Sequence, residues 1–214
     1  MRFSKSTGFS FRFMSLALIT VFGAAQAQDA QTVEKPGLKI GDSWSYLVLE
    51  PISKAQQSTI DLVVSEVSET QLKMTNKSSE VIAIYDADFA ATNLAGVAYS
   101  PSIRALSFPM AAGKKWEHTN TRSHPTCGKS ITELKNEVIG WEDVKVPAGT
   151  FRALRIDSDG NWRNSCGSGK LTYRFWYAPK VKWLVKSDSR VFAGGQLFDG
   201  SIRELTSFKI EESK

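Results

Sequence analysis

The stretch Leu171-Thr172-Tyr173-Arg174-Phe175-Trp176-Tyr177-Ala178-Pro179-Lys180-Val181-Lys182-Trp183 decides how the chain folds. Successive residues of an extended chain point to opposite faces. Leu171, Tyr173, Phe175 and Tyr177 therefore share one face, and Thr172, Arg174 and Trp176 share the other. Large side chains on both faces indicate a strand of a curved antiparallel sheet. Trp176 to Trp183 then reads as a hairpin whose turn holds Pro179, because a turn needs no backbone donor at that position.

The same period-two pattern extends outward in both directions. Ser58 to Val67, Gln71 to Asn76, Val81 to Tyr85, Ile103 to Phe108 and Ile131 to Trp141 are runs of strand length, rich in β-branched and aromatic residues. Turn signals recur at Asp159-Gly160, Gly167-Ser168-Gly169 and Gly194-Gly195. This spacing predicts an all-β fold of about ten strands with few or no helices. One segment dissents: Asp86 to Val97, with Asp86 or Asp88 as a candidate N-cap and alanines inside, reads as a short helix or an irregular excursion.

The chain has 214 residues, 42% hydrophobic and 23% charged, enough apolar material for one domain with a core. Arg2, Lys5 and Arg12 precede the apolar run from Met14 to Ala25, and Ala25-Gln26-Ala27 has the small-x-small pattern of a signal-peptidase site. About 12 apolar residues would span only ~18 Å, against a ~30 Å hydrocarbon core. The expected organisation is a cleaved signal peptide over 1–27 with cleavage between Ala27 and Gln28, a linker over 28–40, one β domain over 41–211 and a tail over 212–214. The expected address is the periplasm, with secretion as the alternative, and the product is not an integral membrane protein. Removing the signal changes the formal charge from +5 to +2, since 24 basic residues then face 22 acidic ones. That near-neutral balance argues against a nucleic-acid partner, and Lys180, Lys182 and Lys186 read as an ordinary solvated strand face.

In an oxidising compartment the two cysteines, Cys127 and Cys166, are expected to pair, each lying in a turn-rich context. Motifs of chemistry are weak. Gly128-Lys129-Ser130 imitates a phosphate loop without its first glycine, and Asp157-Ser158-Asp159-Gly160-Asn161 imitates a calcium loop with the glycine two places early. His118, His124 and Cys127 lack a fourth zinc ligand, so neither a metal nor a cofactor is expected. The two histidines sit in a hydrophilic segment beside Asn120, Thr121 and Arg122, which reads as exposed. No Gly-x-Ser-x-Gly elbow is present, and Glu142-Asp143 would point to opposite faces. No catalytic residues are therefore named, and an enzyme is the least favoured class.

Gly41-Asp42-Ser43-Trp44-Ser45-Tyr46, Phe108-Pro109 with Gly113-Lys114-Lys115-Trp116, Gly140 to Phe151 with its Val146-Pro147-Ala148-Gly149-Thr150-Phe151 end, and Phe175-Trp176-Tyr177-Ala178-Pro179 together resemble an exported proteobacterial family, TapB-like, loosely related to the periplasmic lipoprotein carriers LolA and LolB. The motifs span about Gly41 to Phe208. The family has no agreed catalytic residues to carry over. The resemblance implies a strongly curved sheet or half-open β-barrel, although no clear helix is available to plug or lid it. The expected function is a non-catalytic binding or carrier module for an apolar or lipid-like ligand, with Trp44, Tyr46, Trp116, Trp141, Trp176 and Trp183 as candidate ligand-binding residues. The alternative is an accessory protein of envelope assembly that contacts a protein partner through a sheet edge or patch.

Overall fold

The computed structural model describes Met1 and residues 31–212; the expected signal peptide and most of the tail lie outside the described residues. Twelve strands run in chain order: β1 (Ser43–Leu49), β2 (Gln56–Val67), β3 (Gln71–Thr75), β4 (Val81–Asp86), β5 (Ala91–Leu94), β6 (Val97–Ile103), β7 (Lys115–His124), β8 (Gly128–Val146), β9 (Gly149–Asn164), β10 (Gly167–Ala178), β11 (Trp183–Ala193) and β12 (Gln196–Lys209). They form a single antiparallel sheet in the order β6-β5-β4-β3-β2-β1-β12-β11-β10-β9-β8-β7. Its two edge strands, β6 and β7, lie side by side without a backbone ladder, so the sheet is a nearly closed barrel. No α-helix occurs among the described residues; a single 3-10 turn, Pro179–Val181, joins β10 to β11.

Curvature comes from bulges and from close strand approach. Register shifts at Ser45/Tyr46, Val138/Gly140 and Trp176/Tyr177 add a residue to one strand, which bends it and increases its twist. Gly160 and Gly169 let neighbouring strands come closer than a side chain permits. A Cβ on Gly160 would lie 1.9 Å from the Glu133 carbonyl oxygen, and one on Gly169 would lie 1.8 Å from that of Phe192. Gly160 is therefore not the turn that Asp159-Gly160 suggested; β9 runs through it unbroken. The Gly194-Gly195 turn and the hairpin around Pro179 stand where the sequence placed them.

Strand alternation puts the turns at 124–128, 164–167 and 194–195 at one end of the barrel. The turns at 147–148 and 179–182, with segment 104–114, lie at the other. That second end is closed. Ile103 to Phe108 does not form the expected strand: β6 stops at Ile103, and the chain then crosses the barrel end. Leu106 and Met110 bury themselves against Val138, Leu154, Ile156 and Tyr177, and the Phe108 ring meets Tyr177 edge-on at 5.4 Å. An irregular plug thus closes an end for which the sequence offered no clear helix. The stretch read as a linker helps to hold it, since Val33 and Met110 exchange both backbone hydrogen bonds, at 2.7 and 2.8 Å.

Of the two readings of Asp86 to Val97, a short helix or an irregular excursion, the structure has the second. Asp86 to Val97 forms a turn, the short β5 and a second turn. The Asp86 carboxylate accepts hydrogen bonds from the Asp88 and Ala90 amides, each at 2.9 Å, which holds a tight loop rather than starting a helix.

Candidate functional site

The inward faces of the strands enclose a cavity of about 960 Å³, reaching from the plug to the turns at the opposite end. Its size falls at the upper end of the roughly 300–1,000 Å³ typical of ligand sites. At the plugged end the wall is apolar, with Leu62, Tyr85, Phe89, Leu94, Trp183 and Leu184. Leu171, Tyr173 and Phe175 continue it upward, so the aromatic face of β10 is the inner one. Burial raises the phenol pKa of both Tyr85 and Tyr173 to about 12, so the wall stays neutral where these rings stand.

The open end is different. β7 turns His118, Asn120, Arg122 and His124 inward, onto the cavity. The hydrophilic face expected to be exposed is instead the polar lining of the mouth, and Asn120 is buried. Cys127 and Cys166 sit on the same rim, joined by a disulfide with their Cα atoms 5.3 Å apart. The expected pairing is therefore present, and it ties the β7–β8 turn to the β9–β10 turn.

A buried polar row crosses the wall at mid-height. The Ser158 hydroxyl donates to Asn136 Oδ1 at 2.6 Å. Asn136 Nδ2 lies 3.1 Å from the Trp116 carbonyl and 3.2 Å from His118 Nδ1. Because that amide nitrogen donates, His118 Nδ1 accepts and the ring proton sits on Nε2, a buried atom without a protein partner among the described residues. Desolvation, reinforced by the Arg104 charge, lowers the imidazole pKa to about 4, so the ring is neutral at pH 7. Ser158 gives its proton to an amide oxygen rather than to the imidazole, which makes this row a structural brace and not a nucleophile with its base.

The six aromatic candidates scatter. Trp183 lines the cavity. Trp44 and Tyr46 lie beneath it, with Trp44 Nε1 donating to the Val181 carbonyl at 2.8 Å and the Tyr46 hydroxyl to that of Leu184 at 2.7 Å. Trp116 latches the plug by donating to the Arg104 carbonyl at 2.8 Å, and Trp141 packs beside the lower core. Trp176 is on the outer face, flanked by Arg155 and Lys186 and donating to Glu142. The residues missed in sequence are the inner-face polar ones, above all Arg122 and Arg203. A signal existed for the second: Arg203 shares a strand face with Leu205, a fully buried residue.

No protein-family model matches the chain, and no curated protein matches its sequence. Solved structures do. An exported protein with a YmcC-like fold from Bacteroides fragilis superposes with a TM-score of 0.53 at 13% identity, covering 84% of this chain and 99% of that one. A lipoprotein from Parabacteroides distasonis gives 0.49 at 17% identity, over 85% of this chain and 100% of its own. The lipoprotein YmcC from Escherichia coli gives 0.44 at 11%, over 77% and 84%. At 13% identity the likeness to the Bacteroides fragilis protein is one of fold alone.

Proposed function

We propose that this chain is an exported, non-catalytic carrier that holds an apolar or lipid-like molecule in the barrel and works in the periplasm. The observation that supports the reading is the cavity itself. The fold packs one end solidly around a plug and leaves about 960 Å³ whose lower wall is aromatic and aliphatic and whose mouth is polar. Such a surface gains from an apolar guest at roughly 25 cal/mol per Å² removed from water. A distant kinship with the LolA and LolB carriers belongs to the same proposal, resting on the curved sheet and the motifs quoted above.

The test is mass spectrometry of an organic extract from gently purified exported protein, followed by melting before and after delipidation. An acyl-bearing molecule near stoichiometric amount is expected, with a lower melting temperature once it is removed. Absence of any co-purifying small molecule, together with unchanged melting and no uptake of the neutral dye N-phenyl-1-naphthylamine, would overturn the proposal.

A further inference from the structure

The arginines of the described chain divide into two groups. Arg104, Arg152, Arg155, Arg163, Arg174 and Arg190 each form an ion pair with a carboxylate, and none of them lines the cavity. Arg122 and Arg203 line it, and neither has an ion pair or hydrogen bond among the described residues. Arg203 is the more telling. It stands between Val48 of β1 and Ser187 of β11, immediately above the layer where Tyr46 pairs with Leu205. The groups near it are the Tyr46 and Tyr85 phenols, whose burial-raised pKa values its charge partly lowers. Arg122, by contrast, shares the neighbourhood of Tyr173 with the carboxylate of Asp199.

A guanidinium is permanently charged and offers five donors in a planar fork suited to an oxo-acid. Arg203 is exposed to the cavity space and pairs with no carboxylate among the described residues, so its fork is open to an anion that enters there. We infer that the ligand is an anionic amphiphile, its acyl chain on the aromatic wall and its carboxylate or phosphate group on Arg203. This rests on the carrier reading and names its ligand class.

The experiment displaces N-phenyl-1-naphthylamine from the delipidated full chain with palmitate, hexadecyl phosphate and hexadecanol, which share one chain length and differ in head group. Palmitate or hexadecyl phosphate should compete about tenfold or more better than hexadecanol, the size expected of a charge-assisted contact. Whichever of the two acids competes better identifies the head group as carboxylate or phosphate. R203Q should abolish the preference for the acid and leave hexadecanol within about twofold, R203K should retain part of it, and R122Q should retain most of it. Equal competition by the acids and the alcohol, or a preference that survives R203Q, would overturn the inference while leaving the carrier reading intact. Loss of the preference in R122Q alone would overturn the assignment to Arg203. Failure of every probe to bind would overturn both readings.

Discussion

Replacing both Cys127 and Cys166 by alanine should lower stability by about 4 kcal/mol at 25 °C, without altering the folded rim. The bridge closes a loop of 39 residues, and the chain-entropy relation then removes about 13 cal/mol/K from the unfolded ensemble, or about 4 kcal/mol. The folded side of the balance should change little, because other contacts hold the two turns together. The Cys127 carbonyl accepts from the Ser165 hydroxyl at 2.8 Å and from the Ser165 amide at 3.3 Å. For a domain of this size the loss corresponds to a fall of roughly 8–16 °C in melting temperature. Thermal circular dichroism of the oxidised parent and the double alanine variant, with a urea titration to check the slope, measures it. A fall under about 3 °C with an unchanged urea slope would refute the argument that the bridge acts on the unfolded chain. Unchanged dye affinity in the folded double variant would show that the rim keeps its shape without the bond.

Other predictions follow from individual residues. His118 binds its proton in the native state only near pH 4 but near 6.5 when unfolded, so stability should fall as pH drops from about 6.5 to 4, by on the order of 1–2 kcal/mol after discounting for partial exposure. Denaturant titrations of the parent and H118N across that window would show a smaller slope in the variant; equal slopes would remove His118 from the account. G160A should cost about 2–4 kcal/mol, because the Cβ meets backbone that cannot rotate away, and a urea midpoint within error of the parent would contradict the close approach. W183F, on the cavity wall, should weaken N-phenyl-1-naphthylamine binding severalfold, while W176F on the outer face should leave it within about twofold; the reverse order would invert the assignment of faces.

How much of this was legible in sequence varied with the range of the interaction. Period-two alternation from Leu171 to Tyr177 is local, and it gave the strand, its aromatic face and the hairpin around Pro179 correctly. The cysteine pairing was likewise legible, from an expected compartment and two turn contexts. Gly160 was misread because a glycine that permits a turn and a glycine that permits close strand contact look identical until Glu133 is placed beside it. Ile103 to Phe108 has strand composition, but Leu106 and Phe108 find more apolar surface across the barrel end than an edge strand could offer them. His118, Asn120 and Arg122 looked solvated because they are polar, and polarity does not distinguish the outside of a barrel from a wide cavity within it.

The sequence by itself determined the all-β class, the faces of the central strands and the cysteine pair, since these depend on alternation and turn chemistry within a few residues. It could not separate the scattered aromatics: Trp176 and Trp183 are seven positions apart and end on opposite sides of the wall. Tertiary structure decided that, along with the plug, the cavity and the placing of Arg203 on its wall without an ion pair among the described residues. Each depends on which strands close round on one another, and the bulges and close contacts that set closure join residues far apart in the chain.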